Sequence, residues 1–124
     1  MPTTVTLRLA PYCSREAPIP VEVPAKIVGD LAVHRCTFLN PDGQLSTLKT
    51  WTVSHIPTGD SVGLRAMPER FWERGGIIAG QRQLLAWAEA WQAACPEFFA
   101  AARVKDQDAM RAHVSEAIAA GKRL

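Results

Sequence analysis

At 124 residues, with an apolar fraction of 48% and a charged fraction of 21%, the chain is sized for a single domain over 1–124 and has enough apolar side chains for its own core, which excludes a disordered chain. A net charge of +2 is too small to demand a nucleic-acid partner, and three cysteines (Cys13, Cys36 and Cys95) without a CxxC pair exclude a disulfide framework and a zinc ribbon. No apolar run approaches the roughly 20 residues that span a bilayer, and the N-terminus lacks the basic-then-apolar order of a signal peptide, so the expectation is a cytoplasmic protein with reduced thiols and no membrane partner.

The first half reads as strands. Val5, Leu7 and Leu9 alternate with Thr4, Thr6 and Arg8, the pattern of a half-buried strand. Prolines at 18, 20 and 24 make the next segment an edge strand, because proline cannot donate to a ladder; Val21 and Val23 are its core-facing residues. Residues 31–39, LAVHRCTFL, carry apolar side chains on both parities, as a strand covered on both faces does.

The tetrapeptide NPDG at 40–43 is a hairpin turn, with Asn first, Pro second and Gly in a left-handed position. Setting Asn40 opposite Gln44 predicts that Leu39 faces Leu45, Thr37 faces Thr47, Val33 faces Trp51 and Leu31 faces Val53. That register also sets Arg35 against Lys49, a repulsive pair. Residues 51–63, WTVSHIPTGDSVG, continue the strand to Ile56. They then turn through Pro57, Gly59, Asp60 and Ser61, with VGLRAM as a short returning strand.

Past Met67 the chain reads as helices. MPERFWERGG, 67–76, has proline at a first helical position and a closing glycine pair, the marks of a short helix. From Gln81, the residues Leu84, Trp87, Ala88, Trp91 and Cys95 recur at i, i+3, i+4, i+7 and i+11 and form one buried face. Pro96 opens a further helix with Phe98, Phe99 and Ala102 inward. Asp106 or Asp108 caps the last helix, whose stripe is Met110, Val114, Ala117 and Ile118 and whose end is marked by Gly121, Lys122 and Arg123. The predicted architecture is α+β: an antiparallel β-meander of three to five strands over about residues 3–66, followed by three or four helices over about 67–121 packed on one face.

Chemistry is sparse. His34 with Cys36 is a weak metal pair, no metal-ligand motif extends it, and no cofactor is expected. Cys95 lies on an apolar helical stripe, where a thiol packs rather than reacts. No nucleophile elbow, zincin helix or phosphate-binding loop is present. His55 and Asp60 flank one loop, so a hairpin bend can bring them together as a small polar site. Arg65, Arg70, Arg74 and Arg82 surround Phe71 and Trp72, a mixture that can grip phosphate and stack a base, although Glu69 and Glu73 interleave with it. These eight residues are the candidate binding positions. The reading that follows is a small non-enzymatic binding or adaptor protein, of bacterial or mobile-element type, that inhibits or modulates a larger protein or nucleoprotein partner. Its alternatives are a nucleic-acid-binding module using the sheet or segment 65–82, and a small enzyme centred on His55 and Asp60.

Overall fold

The computed structural model describes residues 3–11, 15–62 and 64–124. Cys13 and Gly63 lie outside these. Within them the chain runs through β1 (Thr4–Leu9), β2 (Ile19–Pro24), β3 (Lys26–Val28), β4 (Leu31–Leu39), β5 (Leu45–His55) and β6 (Asp60–Ser61). Two 3-10 turns (Leu64–Ala66 and Glu69–Phe71) lead to β7 (Trp72–Glu73) and β8 (Gly76–Ile77). Three helices follow: α1 (Gln81–Ala94), α2 (Pro96–Arg103) and α3 (Gln107–Arg123). The class is α+β with antiparallel sheets, as expected.

The strands do not form one meander. β1 and β2 make a two-stranded sheet, β3-β4-β5-β6 a four-stranded one, and β7 and β8 a separate small hairpin. The two larger sheets are stacked. Val5, Leu7 and Val23 pack against Ala32 on one face of β4. Leu31 and Val33, of opposite parity, join Val53 and the helical residues Leu84, Trp87, Trp91 and Phe99 in the main core. Both faces of β4 are therefore covered, which is why its apolar residues fall on both parities.

The NPDG turn forms as expected. The Asn40 N–H donates to the Gln44 carbonyl at 2.8 Å, the Gly43 N–H donates to the Asn40 carbonyl at 2.9 Å, and Gly43 has φ +89°. Beyond it the register departs from the uniform expectation. Leu39↔Leu45 and Thr37↔Thr47 hold, but the next pairs are Arg35↔Trp51, Val33↔Val53 and Leu31↔His55. Two extra residues of β5 are accommodated across from Cys36, forming a bulge. The unbulged register would oppose Arg35 and Lys49. The bulge instead sets the Arg35 guanidinium over the Trp51 ring, 5.3 Å from its centroid, and places Val33 against Val53. A two-residue insertion leaves strand parity unchanged, so every side chain keeps its face.

Three further expectations are corrected. Residues 67–76 are not an α-helix but a 3-10 turn followed by the β7–β8 hairpin. Pro68 is extended and Gly76 has φ +126°, so too few residues lie between them to offset the cost of nucleating an α-helix. The returning strand is only Asp60–Ser61, and Leu64–Ala66 coils instead of extending. Finally, Gly121 does not terminate α3, which continues to Arg123. A Cβ there would lie 2.3 Å from the Ala66 carbonyl oxygen, so glycine serves close approach between α3 and the 64–66 turn.

α1 matches its pattern, while α2 and α3 do so in part: Phe99, Ala102 and Ala117 are buried, and Phe98, Met110, Val114 and Ile118 are half-buried. Leu84, Trp87, Ala88 and Trp91 are buried on α1. Pro96 opens α2, and the Asp106 carboxylate caps α3 by accepting from the Ala109 N–H at 3.1 Å. The two indoles of α1 stack with centroids 5.0 Å apart. Each donates its N–H to α3: Trp87 to the Gly121 carbonyl at 2.8 Å and Trp91 to the Ala117 carbonyl at 2.7 Å. No described helix is long and apolar enough to cross a membrane.

Candidate functional site

β5 ends at His55, and residues 56–59 turn the chain into β6 so that His55 pairs with Asp60. Gly59 has φ +74°, which suits a residue without a Cβ. The Thr58 hydroxyl is the hub of this loop: it lies 3.0 Å from His55 Nδ1 and accepts from the Asp60 N–H at 3.3 Å. His55 Nε2 is buried and has no hydrogen-bond partner. The ring lies 6.3 Å from Phe99, within an aromatic group in which Phe99 meets Trp91 edge-on at 4.8 Å and Phe98 at 5.2 Å. A cavity of about 220 Å3 opens here. Leu31, Val62, Phe98, Phe99 and Met110 form apolar walls, and His55, Thr58, Asp60 and Ser61 supply its polar groups. Burial holds His55 below its ordinary pKa of 6.5, against the pull of the Asp30 and Asp60 carboxylates.

The structure thus brings His55 and Asp60 to one cavity, but no described hydrogen bond joins the Asp60 carboxylate to the imidazole. The arrangement is a cavity lined in part by a histidine that has one ring nitrogen without a partner. It holds no base oriented by an acid toward a nucleophile.

The nearest nucleophile in sequence, Ser54, belongs elsewhere. His34 and Ser54 are 3% and 2% exposed, on the face of the sheet opposite His55. His34 Nδ1 lies 2.7 Å from the Arg35 carbonyl. A carbonyl only accepts, so Nδ1 carries the proton and Nε2 accepts from the Ser54 hydroxyl at 2.8 Å. Both partners are fully spent and sealed from solvent. Among the described residues, no group of three or more His, Cys, Asp or Glu side chains is placed to hold a metal ion.

The arginine segment does not form a single surface of free cations and rings. Phe71 is core, 3% exposed and edge-on to Trp87 at 6.3 Å. Trp72 is half-buried against the core. Arg70 lies on the Phe71 ring, 4.8 Å from its centroid, and donates to the Leu124 carbonyl. Arg65, Arg74 and Arg82 are exposed and take part in no described ion pair.

Two clefts were not apparent from the sequence. One, of about 710 Å3, lies between the α1–α2 junction and α3 and gathers Cys95, Glu97 and His113. Burial, reinforced by Glu116, pushes the Cys95 thiol up, and His113 faces Glu97 at 3.7 Å. A protonated thiol beside an acid-paired histidine is not an activated nucleophile. The other, of about 610 Å3, runs beside the edge strand β3, where Lys26 and Ile27 meet Trp51 and the first turns of α1 at Gln81 and Leu85. Only long-range packing assembles it; the separation of Ile27, Trp51 and Leu85 along the chain hides it.

Comparison of the chain with protein-family models, with curated proteins and with solved structures returned no match.

Proposed function

We propose that the protein is a small non-catalytic binding protein that engages a larger protein or nucleoprotein partner through the groove beside β3. The observation that carries this reading is the make-up of the groove. Trp51 is half-buried in its wall together with Lys26, Arg35 stacks on the Trp51 ring, and Ile27, 48% exposed, borders the groove from the opposite face of the sheet edge. Tryptophan and arginine are the residues that most often carry binding energy at interfaces. The matching partner is a segment with an apolar side chain for the groove and acidic residues for Lys26 and Arg35.

The test is cross-linking in the native host with wild type, Ile27→Glu and Val104→Glu. Val104 is an exposed apolar residue on another part of the surface. The proposal expects one partner captured by wild type and Val104→Glu and lost with Ile27→Glu. Equal capture by all three variants, or none by wild type, overturns it. A nucleic-acid reading is favoured by the exposed Arg65, Arg74 and Arg82. It requires salt-dependent binding of DNA or RNA that weakens when these three become alanine.

A further inference from the structure

The cavity at the end of β5 does not stand alone. It shares Thr58, Asp60, Ala102 and Met110 with a second cleft of about 350 Å3, which adds Arg8 and Lys105. The two adjoin across these shared residues and make one recess with unlike ends. The end of about 220 Å3 is walled by Leu31, Trp91, Phe98 and Phe99. A cavity of about 150 Å3 already accommodates benzene, so this end takes one apolar side chain. The other end is charged. Arg8, Asp60 and Lys105 are all exposed, and none of them takes part in a described ion pair.

Three side chains of mixed sign therefore stand around one recess without neutralising one another. The backbone fixes where they stand. The Arg8 N–H donates to the Gly59 carbonyl at 3.2 Å, and its stem packs so close that a Cβ on Gly59 would lie 2.9 Å from Arg8 Cγ. Asp60 follows that glycine in the chain. Lys105 ends α2 in the left-handed conformation, with φ +56°, the one described residue other than glycine to do so. Its N–H donates to the Ala102 carbonyl at 3.3 Å, and the Asp106 N–H donates to the Ala101 carbonyl at 3.2 Å, a helix end that glycine ordinarily supplies. A lysine there carries backbone strain that a glycine would not, and such outliers cluster at functional sites.

An anion alone would face Asp60, and a cation alone would face Arg8 and Lys105. A ligand carrying both charges answers all three. We propose that the recess binds a free α-amino acid with an apolar side chain: its ammonium pairs with Asp60, its carboxylate with Arg8 and Lys105, and its side chain enters the cavity against Phe98, Phe99 and Met110. The charged groups it uses are exposed, so it reaches them from solvent, and only its apolar part goes inward. The site is independent of the groove beside β3. The two lie at opposite ends of α1, since the groove is lined by Gln81 and Leu85 and the cavity by Trp91.

The experiment uses phenylalanine as probe and follows the Met110 methyl and the Arg8 Nε–H by NMR. Each comparator lacks one feature: phenethylamine the carboxylate, hydrocinnamate the ammonium and glycine the side chain. Phenylalanine should shift both signals saturably. It should bind wild type at least about tenfold more tightly than any comparator, because each loses a contact and the two single ions leave a charge of the recess unanswered. Asp60→Asn should weaken phenylalanine about tenfold and leave hydrocinnamate no weaker. Lys105→Gly keeps the helix end and relieves its backbone, so it should fold as wild type does, weaken phenylalanine and leave phenethylamine no weaker. Ile27→Glu should leave phenylalanine binding untouched, which separates this proposal from the partner groove. Unmoved signals with phenylalanine, a comparator that binds as tightly, or undiminished affinity in Lys105→Gly would overturn the proposal.

Discussion

The two histidines on the central strands, His34 buried and His55 half-buried, use their ring nitrogens differently. His34, under the β1–β2 hairpin, spends both nitrogens, one on a backbone carbonyl and one on a serine hydroxyl. His55, on the helical side, spends one and leaves the other without a partner. Both rings are pushed below the ordinary pKa by burial. A low pKa therefore does not distinguish the two rings; the count of satisfied nitrogens does. The region around His34 is closed chemically and sterically, whereas the region around His55 leaves one ring nitrogen without a partner.

The sharpest test of the contrast in packing is a pair of truncations. Trp91→Ala removes a ring from the larger core together with its bond to α3, and should cost about 3–5 kcal/mol in urea unfolding. Leu7→Ala, in the smaller cluster under the hairpin, should cost less, about 2–4 kcal/mol. Equal costs would mean that the two layers contribute alike.

Substituting the histidines themselves comes next. His34→Phe strands the buried Ser54 hydroxyl and should destabilise by about 1–3 kcal/mol, with Ser54→Ala in the same chain recovering part of the loss. His55→Phe removes the unsatisfied Nε2 together with the Nδ1 bond to Thr58, whose hydroxyl keeps the Asp60 N–H, so it should cost less than His34→Phe, about 1 kcal/mol or under. A large cost at His55 would break the comparison.

The pH dependence follows with its sign. A histidine whose folded pKa is depressed binds fewer protons folded than unfolded. Its contribution is fully present above the ordinary 6.5 and is lost as pH falls from there through the folded value. The urea midpoint of wild type should drop across that window, and less steeply in the two His→Phe variants. Asp30 and Asp60 are the carboxylates whose charge opposes the effect of burial on His55.

Smaller effects belong to the periphery. Gly43→Val should cost about 1–2 kcal/mol through backbone strain alone, because the space around that position is open. Arg103→Ala breaks an ion pair with Asp30 whose arginine is 62% exposed, and should cost no more than about 0.5 kcal/mol.

What was legible in the sequence is local. The NPDG turn, the alternation of β1, the stripe of α1, and the roles of Pro96 and Asp106 all depend on residues within one or two turns of each other. What was not legible depends on partners far along the chain. The β5 bulge is decided by Arg35 meeting Trp51 across the ladder. Gly121 has the composition of a helix end, yet it answers to Ala66. The 67–76 segment carries helix signals at both ends, but its length defeats them. His55 and Asp60 were recognised as neighbours across a loop. The walls that make a cavity of that loop come from α1 (Trp91), α2 (Phe98 and Phe99) and α3 (Met110), and no spacing rule reaches them. His34 and Ser54 are both ordinary strand residues until the true register sets them on adjacent positions.

The indole bonds from α1 to the end of α3 have a consequence for how openings of the fold can be watched. Two side-chain protons, on Trp87 and Trp91, are held by carbonyls of another helix. Each exchanges with solvent only when that docking is released, whatever the backbone of either helix does. Their exchange rates therefore report detachment of α3 separately from fraying of α1. If the two indoles exchange together and more slowly than the amides of β1 and β2, the helical layer and the hairpin layer are distinct cooperative units stacked on a common sheet.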